Sequence, residues 1–307
     1  MPNETKKYFF KKLSERYGTF RKLGTSLSLF DIGEGAARIY IRYSKIHPRN
    51  RTFYGLRKED ILQLEGRAAA ICFLWDGQEN PLFVRYSDYE DVFHSVLPAT
   101  DGQYKVQVFL QDEAAELYIA NAGRFNVEGC FGWQRLDSLI DQSKLLEIPD
   151  LTHTQVQTLL GSIGAIKGYG IWIPRNDRLK LDWHITTQFE YDASLPHEFN
   201  EIENLLSEID VIWIEKGAAK LRALFEVEHS TPIYSALLRF NDVRLVGSET
   251  NTRYSVVSND ERRGLFIRQL NRPTFKTSSL SDNCAFLKYS DVYAWHKQLI
   301  GENKNKS

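Results

Sequence analysis

Cysteine is scarce in this sequence. The three that occur, Cys72, Cys130 and Cys284, are odd in number, far apart and without C-x-x-C spacing. That argues against a disulfide scaffold and a structural zinc site, and it fits a reducing, cytoplasmic setting. No apolar run approaches the roughly 20 residues that span a bilayer. The polar opening over residues 1–7 has no apolar stretch behind it, so no membrane segment and no signal peptide are expected. Charge of one sign is missing as well: 39 Lys and Arg face 40 Asp and Glu, for a net charge of −1. The chain therefore lacks a global basic signature for nucleic acid, which leaves a local basic face open. Several catalytic motifs are absent too. There is no G-x-x-x-x-G-K-[ST], no H-E-x-x-H and no G-x-S-x-G; Gly33-Glu34-Gly35 stands alone, and residues 160–164 fall on a helical pattern.

What is present is an ordinary globular composition, 42% hydrophobic and 26% charged over 307 residues, enough for one large or two ordinary domains. A polar, acidic stretch around residues 136–152, broken by Pro149-Asp150, places the boundary between domains at 1–148 and 149–307. The first domain opens on an amphipathic helix pattern over residues 4–22, apolar at Phe9, Phe10, Leu13, Tyr17 and Phe20, with a cationic flank. That flank reads as a phosphate contact or as a solvated face. Strand patterns follow at 38–43, 68–75, 81–86, 104–110 and 116–120, with a helix over 88–96, and together they read as one substantial sheet.

Within that domain residues 42–58 interleave six cations (Arg42, Lys45, Arg49, Arg51, Arg57 and Lys58) with aromatic and hydrogen-bonding side chains. Arginine reads guanine edges in two contacts, and Lys or Arg holds phosphates, so the segment is a candidate nucleic-acid contact. The competing reading is a solvated loop.

The second domain begins with a helix over 152–166, apolar at Val156, Leu159, Leu160 and Ile163, ended by Gly168-Tyr169-Gly170. A strand at 171–173 runs into Pro174-Arg175-Asn176-Asp177-Arg178. Helices are expected over 196–207, 232–240 and 289–300, a strand at 253–257, and a disordered polar tail over 301–307. Between them lies a candidate hairpin, residues 209–215 and 222–229, whose apolar strands are interrupted by carboxylates. Glu226 and Glu228 are two apart and share a face. If the strands pair antiparallel, Asp210 lies beside them, and the cluster suits a hard cation such as Mg²⁺. On an edge strand the same glutamates would face solvent instead.

The order helix, strand, strand, strand, helix, strand, with carboxylates on the central hairpin, resembles the PD-(D/E)xK nuclease superfamily, to which most restriction endonucleases belong. Asp210 matches its strand-initial aspartate and Glu226-Val227-Glu228 its acidic-x-Lys triplet, with Glu228 in the lysine slot, as in BamHI-like enzymes. The resemblance covers roughly residues 150–270. It implies an α/β (α+β) chain: a mixed N-terminal DNA-recognition domain, then a restriction-endonuclease-like core with a central mixed sheet flanked by helices. It implies Mg²⁺ (or Mn²⁺) on Asp210, Glu226 and the Val227 carbonyl, with Glu228 handling the attacking water. Arg175, Asn176 and Arg178 become phosphate contacts, with Lys220, Arg222 and His229 as possible helpers. Asp177 is a rival to Asp210. The family's acidic residue on the first core helix is missing, with Gln155 and Gln157 nearest. The expected partners are double-stranded DNA, a second copy of the chain and a cognate methyltransferase. A catalytically silent scaffold of the same fold is the alternative.

Overall fold

Alternating apolar residues in the first half of the chain build not one sheet but two. The computed structural model describes residues 4–23, 26–111, 114–144, 146–247 and 252–304. It divides into two units, Met1–Glu147 and Ile148–Ser307.

Unit 1 runs α1 (Glu4–Tyr17), β1 (Arg21–Lys22), β2 (Leu29–Ile32), β3 (Ala37–Ser44), β4 (Arg51–Arg57), α2 (Lys58–Leu62), β5 (Ala69–Trp75) and β6 (Leu82–Arg85). It continues with α3 (Glu90–Ser95), β7 (Gln103–Gln111), β8 (Ala114–Ile119), β9 (Gly123–Asn126) and α4 (Gln134–Lys144). One sheet has the order β1-β2-β3-β5-β6, the other β4-β7-β8-β9. The single-sheet reading fails because alternation shows which face of a strand is apolar, not which strand lies beside it. In the first sheet β5 is buried along its whole length, as its unbroken apolar run requires. Arg38 on β3 is buried there and binds both oxygens of Asp31 on β2, at 2.6 and 3.1 Å, and the carbonyl of Gln63 at 2.9 Å. The second sheet buries one face, including Tyr54, Leu56, Val106, Val108, Leu117 and Ile119. Residues 42–58 are not a loop: they form the end of β3, a turn, all of β4 and the first residue of α2. On α1, Phe9 and Leu13 point inward while Lys7 and Lys12 pair with Glu4 and Glu15, each at 3.0 Å.

Unit 2 runs α5 (His153–Ile166), β10 (Gly170–Trp172), α6 (Glu203–Leu206), β11 (Val211–Glu215), β12 (Lys220–Glu228), α7 (Ile233–Val246) and β13 (Arg253–Ser258). α8 (Arg263–Leu270), α9 (Pro273–Thr277), β14 (Cys284–Lys288) and α10 (Tyr289–Lys304) complete it. Its sheet has the order β10-β11-β12-β13-β14. β10, β11 and β12 are antiparallel; β12, β13 and β14 are parallel, so the sheet is mixed. The hairpin is thus real, and β12 is its central strand rather than an edge.

Helix α5 starts where Thr152 and Gln155 form a reciprocal capping box, which satisfies two of the donors a helix start leaves unpaired. It lies flat on the hairpin because it carries glycine at the contact. A Cβ on Gly164 would come within 2.4 Å of Trp213 Nε1, and one on Gly161 within 2.2 Å of Phe189. Trp213 Nε1 donates to the Leu160 carbonyl at 3.0 Å and so fixes the helix on the strand. His296 on α10 is fully buried and meets the hydroxyls of Ser162 and Thr186 at 3.0 and 2.9 Å.

Three expectations shift in detail. Residues 196–207 are a 3-10 turn over His197–Ile202 followed by the short α6. The helix begun at Pro232 extends to Val246. The final helix reaches Lys304, inside the expected tail, whose residues 305–307 lie outside the described residues. No helix among the described residues is long and apolar enough to cross a membrane.

Candidate active site

The register of the hairpin decides which carboxylates meet. Val211 on β11 faces Phe225 on β12, so Asp210, one step before the strand, arrives level with Glu226. Its Oδ2 accepts from the Val227 amide at 2.6 Å. Alternation on β12 sends Phe225 and Val227 into the core beneath α5, and Glu226 and Glu228 to the opposite face, where Leu224 joins the core containing α7. With β11 on one side and β13 on the other, Glu226 and Glu228 are 1% and 2% exposed. Carboxylates at that depth require a partner.

The partner comes from α7. Arg239 Nε donates to Glu226 Oε1 at 2.6 Å and Nη2 to Oε2 at 2.8 Å; Nη2 also lies 3.7 Å from Glu228 Oε1. The Thr231 hydroxyl donates to Glu228 Oε2. A second contributor comes from α5. His153, the first helical residue, places Nε2 3.5 Å from Asp210 Oδ2, while Gln157 Nε2 donates to the Asp210 carbonyl at 2.9 Å. His153, Asp210, Glu226, Glu228, Thr231 and Arg239 line a cavity of about 410 Å³ that also takes in Val227 and His229.

Three carboxylates face the Arg239 guanidinium and the His153 imidazole, and the field of Arg262, which donates to the Glu228 carbonyl at 3.1 Å, also acts on Glu228. Burial pushes the Glu226 carboxyl up to about 8, against the pull of Arg239, and burial likewise raises Glu228. Hydrogen bonding to Asp210 pushes His153 above its ordinary value. Glu226 raises Arg239 in turn. An all-oxygen donor set of Asp210, Glu226, Glu228 and the Val227 carbonyl fits a hard divalent cation, which would displace the proton that a carboxyl raised to about 8 holds near neutral pH.

The other sequence candidates sort themselves by position. Lys220 is exposed at the far end of β12, and Arg222 lies over the Tyr169 ring, 6.0 Å from its centroid; neither lines the cavity. His229 does, stacked 6.2 Å from the Tyr289 ring. Gln155 Nε2 donates to Asp182 at 3.0 Å. Asp177 pairs with Lys180 at 2.7 Å and contributes to the field at His153. Arg175 and Asn176 are exposed. Arg178 is committed to the fold: it donates to the carbonyls of Ile173, Asp192 and Ala193 at 2.9, 2.9 and 3.2 Å and lies over the rings of Trp172 and Tyr191. In unit 1, Arg49 and Arg57 are exposed, as is Lys45, while Arg42, Arg51 and Lys58 are half-buried.

Sequence reasoning gave no role to His153 or Arg239. Arg239 had a signal, a lone cation inside Leu237-Leu238-Arg239-Phe240 on a helix facing the core. Unit 1 holds a further group of potential ligands: Glu65, Glu90 and His94 bring one ligand atom each to within 4.8 Å of one another, with His94 Nε2 3.4 Å from Glu65 Oε2.

Comparison with known proteins adds two findings. The family model for the Type II restriction enzyme NmeDI C-terminal domain matches residues 139–304, a range that contains the whole hairpin, α5 and α7. The Type II restriction enzyme NmeDI of Neisseria meningitidis serogroup C is 34% identical over 132 residues, covering 40% of this chain and 37% of that protein. The chain therefore aligns with little more than a third of that relative's length. No solved structure matches.

Proposed function

Because this chain belongs to the Type II restriction enzyme NmeDI C-terminal domain family, we propose that it is a Mg²⁺-dependent endonuclease that hydrolyses phosphodiester bonds in double-stranded DNA, with a variant PD-(D/E)xK site on the β11–β12 hairpin. The observation that supports this most is the pair of buried carboxylates on a central strand, joined by Asp210 and opening on a cavity.

In this reading Asp210, Glu226 and the Val227 carbonyl hold the cation, with Mn²⁺ as a substitute. When bound, it supplies Lewis-acid stabilisation of the charge that develops on the phosphate and lowers the pKa of a coordinated water. Glu228, steadied by Thr231, orients the attacking water. Arg239 supplies the cationic group that the Glu-x-Glu variant removes from the strand, approaching from α7 with a planar pair of donors suited to carboxylate or phosphate. His153 adds a second positive group beside Asp210. Phosphate contacts on this unit fall to the exposed Arg175 and Asn176. Residues 1–148 would read DNA, through Arg42, Lys45, Arg49, Arg51, Arg57 and Lys58. A homodimer would place two sites across a symmetric target, and a cognate methyltransferase would protect the host's own copies of it.

One observation favours the silent scaffold: Arg239 engages both oxygens of Glu226, which satisfies that buried carboxylate by itself. A digest of methylated and unmethylated phage DNA with Mg²⁺ or EDTA, run beside Glu226→Ala, separates the two. Discrete Mg²⁺-dependent fragments that the variant does not produce establish the nuclease. Intact DNA with DNA binding preserved establishes the scaffold.

A further inference from the structure

The four-stranded sheet of unit 1 has one face in the core and one face without. On β4 the outward positions are Arg51, Phe53, Gly55 and Arg57, because Thr52, Tyr54 and Leu56 point in. The register carries that face across the sheet: Arg51 faces Phe109, Phe53 faces Gln107, Gly55 faces Lys105 and Arg57 faces Gln103 on β7. It continues through Phe109 to Glu116 and Gln107 to Tyr118 on β8, then to Asn126 and Arg124 on β9.

The composition of this face is unlike a merely solvated one. Phe53 is 40% exposed. Arg51 lies 4.9 Å over the Phe53 ring and Arg124 4.3 Å over the Phe109 ring, so flat guanidinium–aromatic pairs hold the arginines against the sheet. Gly55 leaves room for the Gln103 amide, since a Cβ there would come within 1.7 Å of Gln103 Oε1. Half-buried Gln107 and Arg51 each keep one side-chain atom, Oε1 and Nε, buried with no hydrogen bond among the described residues. Its described strand positions carry four cations (Arg51, Arg57, Lys105 and Arg124) against one carboxylate, Glu116. Three of these cations pair near the surface with Glu59, Asp101 and Glu116; solvent and salt screen such pairs, so they hold the cations weakly.

We infer that this open sheet face is the DNA-reading surface, and that it reads bases as well as backbone. The inference rests on the DNA substrate proposed above. Arginine matches guanine, and glutamine or asparagine matches adenine, in paired contacts, and a two-stranded ribbon such as β4–β7 fits the major groove. Arg51, Gln103 and Gln107, all on that ribbon, therefore contact base edges; Arg57, Lys105 and Arg124 contact phosphates. The specificity determinants extend beyond residues 42–58 to a strand far away in sequence.

The test uses the full chain in Ca²⁺, fluorescence anisotropy, and two probes: a random-sequence duplex pool, and the same pool enriched by repeated selection on the wild-type protein. Arg51→Gln, Gln103→Ala and Gln107→Ala should each weaken binding to the enriched pool by roughly tenfold or more and to the random pool by less than about twofold. Thermal unfolding unchanged from wild type shows that these outward positions leave the fold intact. Wild-type affinity for both pools in all three variants overturns the inference and leaves the DNA substrate standing. Equal losses on both pools reduce the face to a backbone contact and overturn base reading. A changed oligomeric state without a change in DNA affinity makes the face a contact between copies and overturns the inference. A wild-type chain that binds neither pool removes the substrate proposal, and this inference with it.

Discussion

Two arginine–carboxylate pairs, one in each unit, share their chemistry and differ in their surroundings. Arg38 and Asp31 are sealed: the guanidinium side chain is 1% exposed, and it is spread over both carboxylate oxygens and a carbonyl. Arg239 is 31% exposed beside a Glu226 side chain at 2%, with Glu228 and Asp210 adjoining. The first carboxylate is shared with a second cation, Arg21 at 3.3 Å, and ties neighbouring strands together. The second has two further carboxylates crowded beside it and faces a cavity. Burial of an ion pair alone does not indicate function; crowded carboxylates with an opening mark the candidate site.

The largest expected effect tests the open pair. Asp210→Ala or Glu226→Ala should lower Mg²⁺-dependent cleavage on the order of 10³-fold or more, as loss of a charge-stabilising group does, with DNA binding measured by anisotropy retained. Undiminished cleavage would place the ligands elsewhere. Next comes the sealed pair: Arg38→Met leaves Asp31 buried without its main cation and should cost about 3–5 kcal/mol in urea unfolding. Arg239→Met should cost less stability and more cleavage. Equal stability losses with cleavage intact would erase the distinction.

The same contrast appears in two histidines. Burial pushes His296 down to about 4 from an ordinary 6.5, so the unfolded chain takes up its proton first. The stability it contributes is complete above 6.5 and falls as pH drops toward 4, by roughly 3 kcal/mol. His153 runs the other way. Raised by Asp210, it contributes stability below 6.5 that is lost as pH rises through its folded value. NMR titration of the two rings checks both directions; a downward-shifted His153 would mean that it is not paired with Asp210. The smallest effect belongs to the surface: Arg49→Ala should flatten the salt dependence of DNA binding by about one counterion, read from affinity at several salt concentrations.

The hairpin and α5 were legible because each left a local mark. Acidic residues broke an apolar strand at 226 and 228, and apolar Val156, Leu159, Leu160 and Ile163 fell at helical spacing. Arg239 lies 13 residues from Glu226, and only packing of α7 on β12 brings them together, so no local pattern pairs them. The two-sheet division of unit 1 escaped because residues 51–57 read as part of a basic segment rather than a strand, and their partner β7 lies about fifty residues on, where pairing is set by tertiary context. Lys220 and Arg222, near in sequence, sit at the wrong end of their own strand.

Strand β12 has hydrogen-bonded neighbours on both sides, one antiparallel and one parallel, whereas β4 ends its sheet. Amide protons of Phe225, Glu226 and Val227 should therefore exchange with solvent only when the whole unit opens, while those of β4 exchange through local fraying. The carboxylates are held on an interior strand of their sheet, and the arginines of β4 on a terminal one whose outer amides rest on the side chains of Ser44 and Tyr40. Under the proposed function, a chain built this way would meet DNA of variable shape without loosening the site assigned to cleavage.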